Sequence, residues 1–205
     1  MIFEYFDNII IRAPSFFEER WQQTKQELDK FNLKYERHSD GIKGETRSER
    51  EKAATNEWFN IIQKAKDRNY KNVLILEDDV IIDTRISKYE TLVKNFLNNN
   101  YWELFYFGCN HEQTPDKTNK NIWKVKRAWC MHSVAVNCNI YDEILKNKID
   151  LKTEGDVMVA DKIQSRGNSY ALHPRICYQR AGFSNIQNEV VNYDYALKDK
   201  EEFYE

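Results

Sequence analysis

The run Val73-Leu74-Ile75-Leu76 passes without a break into Glu77-Asp78-Asp79 and then into Val80-Ile81-Ile82. Four consecutive aliphatic residues predict a strand buried on both faces, the kind that sits at the centre of a largely parallel sheet. Three carboxylates cannot follow it into that interior unaided. Like charges in a low-dielectric setting repel, so some of the acids must be protonated or a cation must sit among them. The triplet therefore marks the end of the strand, and in open α/β sheets ligands bind beyond the carboxyl ends of the strands. All-oxygen ligation suits Mg²⁺ or Mn²⁺, which commonly take one or two carboxylates and complete their shell with phosphate oxygens and water. A diphosphate is the matching partner. In an extended backbone Glu77 and Asp79 would point to one side and Asp78 to the other. The plainer alternative is a solvated turn that caps a strand.

Around this point apolar, β-branched runs alternate with longer amphipathic stretches, which predicts an α/β domain with a central mixed, mostly parallel sheet flanked by helices. Strands are expected at Asn8 to Arg12, Leu33 to Arg37, Leu104 to Phe107 with a stop at Gly108, Ala128 to Val136 and Tyr170 to Ile176. Helices are expected from a Ser15/Glu18 capping box to about Phe31, from Glu49 to Asn69 with the stripe Ala53, Trp58, Ile61, Ile62 and Ala65, from Ser87 to Asn98, from Tyr141 to Lys146 and from Asp156 to Arg166. The polar stretch Cys109 to Lys126, with His111 and Glu112, reads as a long loop of the kind that lines a site and sets acceptor specificity.

Composition narrows the function classes. The 205 residues suit a single domain spanning the chain, long enough to bury roughly 70% of its unfolded surface without disulfides or a structural metal. With 31 Lys and Arg against 33 Asp and Glu the net charge is −2, which argues against a nucleic-acid-binding module. Cys109, Cys130, Cys138 and Cys177 form no CxxC pair, so no zinc cage or redox motif is expected and the thiols suit a reducing compartment. No segment approaches the ~20 apolar residues of a membrane helix. Glu4 and Asp7 stand where a signal peptide would carry positive charge. The expectation is a soluble, cytoplasmic protein, in the host cytoplasm if the source is viral.

The string VLILEDDVIID, an upstream turn ending in Asp40-Gly41 and the downstream strand ELFYFG together resemble glycosyltransferase family 25, the lipopolysaccharide and procollagen galactosyltransferase type. The small size is also similar to the compact glycosyltransferase domains of large algal DNA viruses. The resemblance implies a GT-A fold, a nucleotide-sugar-binding α/β sandwich in which Glu77-Asp78-Asp79 fills the Asp-x-Asp role. It departs from the family at Asn56-Glu57, where a Ser-His pair is usual, and in the opening IIIRAPSFFEER, where only Arg12 and Arg20 remain of an arginine-rich turn.

The reaction implied is transfer of a hexose from a UDP-sugar to a hydroxyl of a glycan or glycoconjugate acceptor, with inversion. A Mn²⁺ or Mg²⁺ ion held by Asp79, with Glu77 and a late ligand His173, would neutralise the leaving diphosphate. Arg12, Asp40, Glu77 and Asp78 are the candidates for contact with base, ribose, sugar or diphosphate; Asp40 is equally well explained as a turn former before Gly41. Asp156, in Thr153-Glu154-Gly155-Asp156, is the candidate general base, with Asp161 in reserve. A Thr153/Asp156 capping box would explain the same residues by helix initiation alone. Trp123 and Trp129 are candidates to stack a sugar ring or simply to pack in the core, Ser184 matches a Ser-x-Ile feature near the family's C-terminus, and His132 reads as a packed strand residue. A receiver domain is excluded by the order of its acids. A metal-dependent phosphohydrolase and a catalytically silent nucleotide-sugar or carbohydrate-binding module remain as alternatives.

Overall fold

The computed structural model describes residues 1–149 and 155–192. In chain order they form β1 (Asn8–Arg12), α1 (Glu18–Asp29), β2 (Glu36–His38), α2 (Arg47–Asp67), β3 (Asn72–Glu77) and β4 (Val80–Ile82). Next come α3 (Ile86–Asn99), β5 (Leu104–Gln113), β6 (Asp116–Lys117), β7 (Ile122–Lys124), β8 (Arg127–Asn137) and α4 (Tyr141–Lys146). The described chain ends with α5 (Gly155–Lys162), β9 (Ser169–Leu172), β10 (Cys177–Gln179), β11 (Gly182–Ser184) and β12 (Glu189–Val191).

The central sheet has the order β2-β1-β3-β8-β5-β9-β7-β6. It is mixed and mostly parallel: β8 and β7 run against the other six strands. Period-2 alternation sorts its side chains onto two faces. Ile9, Ile11, Leu74, Leu76, Phe105 and Phe107 pack with Trp21 and Leu28 of α1 and Val93, Phe96 and Leu97 of α3. Ile10, Val73, Ile75, Leu104 and Tyr106 face Trp58, Ile61 and Ile62 of α2, Ile144 of α4 and Met158 and Val159 of α5. The result is a three-layer α/β/α sandwich in which Val73 to Leu76 are fully buried, as the aliphatic run requires.

Several local expectations are corrected. Ser15 and Glu18 form no capping box. Phe17 is the N-cap of α1 without a side-chain cap bond, because Ser15 is held by the Ser39 carbonyl and Glu18 instead accepts from Gln22 and Arg37. The capping box lies at α2, where Thr46 and Glu49 satisfy each other's backbone N–H groups. β5 does not stop at Gly108 but continues to Gln113 through register shifts against β8, and the expected loop from Cys109 to Lys126 is largely strand, with β6 and β7 at the sheet edge. Near the chain's end β9 stops at Leu172, before Pro174, which lacks the N–H a ladder needs. The chain then crosses to donate from Ile176 N to the Phe107 carbonyl at 2.9 Å and to pair β10 antiparallel with β4.

Candidate functional site

β1 supports β3 as far as the pair Arg12↔Glu77, and β8 supports it as far as Leu76↔Ser133. With no ladder beyond that point, Asp78 and Asp79 form the turn into β4. The alternation expected for an extended triplet is therefore overturned: Glu77, Asp78 and Asp79 all line one cavity of about 1060 Å³. The turn is pinned from two sides. Thr24 Oγ1 of α1 donates to the Asp78 carbonyl at 2.5 Å, and the Arg180 N–H donates to the Asp79 carbonyl at 2.7 Å.

Two guanidinium groups compensate the acids. Arg12 donates to Glu77 Oε1 at 2.8 Å and stands 3.6 Å from Glu57 of α2. Arg20 donates to Asp78 Oδ1 at 2.5 Å and lies 3.2 Å from Asp79 Oδ2, while its other terminal nitrogen donates to the Phe183 carbonyl of β11 at 3.0 Å. Even so, the buried Oδ2 of Asp78, Oδ1 of Asp79 and Oε2 of Glu57 accept no hydrogen bond. Burial and the neighbouring carboxylates push the Asp79 carboxyl well above the usual range, against the pull of Arg20 and Arg12. Asp78 is raised by burial. Glu57 is pushed up to about 7 by burial, with Arg12 opposing and Asp78 and Glu77 adding.

The rest of the cavity is built from segments far apart in the chain. Pro14, Phe16 and Phe17 follow β1, Ile42 to Glu45 follow β2, Arg50 and Ala53 belong to α2, and Ala181 to Ile186 belong to the hairpin β11–β12. Arg50 Nε donates to the Ile186 carbonyl at 3.1 Å and so ties the hairpin to α2. Arg12, Arg20, Lys43, Arg50 and Arg180 all line the space, a positive complement suited to phosphate oxygens. Its size is that of a small-molecule or cofactor pocket.

The structure distributes the candidate residues unevenly. Arg12, Glu77, Asp78, Asp79 and Ser184 line the cavity. Asp40 is exposed and stands outside the lining, although the segment just after it forms part of the wall. Asp156, in the first turn of α5, is half-buried and stands outside the cavity's lining; its carboxylate accepts the Val157 N–H at 2.9 Å, and its pKa is raised by burial, with the Glu77 charge adding. Thr153 and Glu154 lie outside the described residues, and with them the proposed Thr153/Asp156 capping box. Asp161 is exposed and ion-paired with Arg127, which also holds Glu112, so it stands apart from the acids. His173 is likewise not brought to them: it stacks on Trp123 with ring centroids 3.6 Å apart. Trp123 itself is buried in the core, and Trp129 lies beneath the Arg127 guanidinium. His132 is buried against the Cys177 carbonyl, and that burial lowers its pKa.

Glu57, Lys43, Arg50, Arg180 and the hairpin were not legible as site components. Glu57 had one signal, its departure from the Ser-His pair of the resembling family. Among the described residues no group of three or more His, Cys, Asp or Glu side chains forms a ready-made metal cage. The orphaned oxygens of Asp78 and Asp79 fit the other mode of binding, in which one or two carboxylates hold Mg²⁺ or Mn²⁺ and a diphosphate supplies further oxygens. No helix among the described residues is long and apolar enough to cross a membrane.

No family model matches the chain, and no curated protein matches it. Among solved structures it is similar to a glycosyltransferase involved in the glycosylation of the major capsid of PBCV-1, at 12% identity over 93% of this chain and 99% of that one, with a TM-score of 0.56. It is also similar to A197 from STIV, at 14% identity over 90% and 93% of the two chains, with a TM-score of 0.51. Together with the topology, these likenesses establish a glycosyltransferase-like fold.

Proposed function

We propose that this chain is a metal-dependent hexosyltransferase that uses a UDP-sugar and transfers the hexose, with inversion, to a hydroxyl of a glycan or glycoconjugate, in the manner of the family 25 enzymes its acidic strand resembles. One observation carries the reading. A carboxylate triplet with two orphaned buried oxygens lies at the end of a central strand, inside a cavity that Arg12, Arg20, Lys43, Arg50 and Arg180 line. Asp79, with Asp78 and Glu77 beside it, would hold the divalent ion, which when bound supplies Lewis-acid neutralisation of the diphosphate. The cationic side chains bind and orient the donor. Asp156, with a pKa raised by burial and by Glu77, takes the acceptor hydroxyl's proton as oxygen bonds to the anomeric carbon and the bond to the diphosphate breaks, the electron pair leaving with the diphosphate. The Val157 N–H that its carboxylate accepts helps to fix its orientation.

Calorimetric titration with UDP- and GDP-sugars, with and without Mn²⁺, tests the proposal on wild type and Asp79→Asn. Manganese-dependent binding of a UDP-sugar, lost in the variant while the fold is kept, is the expected result. Absence of nucleotide binding under every condition would discard the transferase and leave the phosphohydrolase and a silent carbohydrate-binding module.

A further inference from the structure

The guanidinium of Arg20 makes two kinds of contact at once. Through one terminal nitrogen it bridges Asp78 Oδ1 at 2.5 Å and Asp79 Oδ2 at 3.2 Å, the pair of carboxylates a divalent ion would require. Through the other it donates to the Phe183 carbonyl at 3.0 Å. A guanidinium is planar and its donors form a rigid fork, so turning it away from the acids also moves the donor that holds the hairpin. The hairpin at its far end is a separate two-stranded sheet, β11 against β12, with Phe183 and Val190 half-exposed or more at 49% and 79%. Arg50 also holds it at Ile186, and Arg180, just before it in the chain, is bound to Asp79 and to Gln23 of α1. The hairpin is therefore a wall of the pocket one of whose clasps is the cation that neutralises the acids.

We propose that Arg20 is a built-in placeholder for the divalent ion: it holds the position between Asp78 and Asp79 and ties the 182–191 hairpin to it. Loading of the acids then releases the hairpin and turns Arg20 toward the diphosphate. The inference rests on the metal-dependent reading above. The ion would take the oxygens that Arg20 leaves free, Asp78 Oδ2 and Asp79 Oδ1, but two cations on one pair of carboxylates repel, so the ion is bound weakly until a nucleotide offers Arg20 a second anionic partner. Arg20 acts here as a positioning residue, and donor binding becomes ordered without any further device.

The experiment uses the full chain as wild type, Arg20→Gln and Arg20→Lys. Mn²⁺ alone is titrated with electron paramagnetic resonance detection, and amide hydrogen exchange of residues 182–191 is followed with and without Mn²⁺, with strand 104–113 as the internal check on folding. Removing a charge-assisted bond of this kind should tighten Mn²⁺ binding to Arg20→Gln about tenfold in the absence of nucleotide and speed hairpin exchange. In wild type, saturating Mn²⁺ should speed hairpin exchange to the level of that variant, whose own exchange should not respond to the ion. Arg20→Lys keeps a competing charge but not the fork, so it should bind Mn²⁺ as wild type does while its hairpin exchanges faster. Wild-type hairpin exchange that is indifferent to bound Mn²⁺, or Mn²⁺ binding that is unchanged in Arg20→Gln, overturns the proposal and leaves the metal-dependent reading standing. If Mn²⁺ fails to bind any form even with UDP present, both fall together.

Discussion

Glu57 shows at the scale of one residue how position changes chemistry. In sequence it is an ordinary acid within an amphipathic helix. In the fold it is 4% exposed, with one oxygen that accepts no hydrogen bond and Arg12 at 3.6 Å. Burial raises its pKa from 4.5 to about 7, so between those values the folded state keeps a proton that the unfolded chain has lost. Stability then falls as pH rises through that window, by up to about 3 kcal/mol, and is flat in this contribution above and below it. Glu57→Gln removes the titration, and its melting temperature should fall less than that of wild type between pH 4.5 and 7.5. Parallel melting curves across that range would contradict the burial argument. The acids at 77 to 79 are the opposite case, since three carboxylates after an aliphatic run announce themselves in any sequence. Their partner Arg20 does not, because it stands 58 residues before Asp78 and 163 before Phe183.

At the scale of elements, strands and helices with strong periodicity were read closely: β1 and α4 have the predicted bounds, and α2 and α3 are displaced by a residue or two. The largest departure is β5, which the sequence predicts to stop at Gly108 and which runs on to Gln113. Gly108 is there for another reason. A Cβ at this position would come within 2.0 Å of the Cys177 carbonyl oxygen and 2.7 Å of His132 Nε2, because β10 crosses β5 at this point. Gly108→Ala should therefore cost about 1–3 kcal/mol or more in denaturant-midpoint measurements, by forcing β10 and the attached β4 away from the sheet. A variant as stable as wild type would mean that the crossing has slack. The expected specificity loop is largely strand for a different reason: β6 is exposed on both residues at the sheet edge and reads as a loop, and β7 adds only a three-residue strand, Ile122-Trp123-Lys124, within a polar stretch.

At the scale of the whole molecule, the sandwich brings one end of β1, the turn after β3, two helices and a late hairpin around one cavity, and Asp156 of α5, outside its lining, feels the Glu77 charge. If Asp156 is the base of the proposed transfer, Asp156→Asn should leave UDP-sugar affinity within about twofold while turnover falls by roughly 10²–10⁴. Unchanged turnover would return the residue to its place at the start of α5. By itself the sequence determined the fold class, the central strand and the place where three carboxylates crowd the strand's end, because side-chain periodicity and like-charge repulsion act over a few residues. Tertiary structure alone decided which distant cations answer those acids, that Asp161 and His173 stand away from them and that a hairpin shares their counter-charge. Such meetings depend on how layers pack across more than a hundred residues, and no local pattern encodes them.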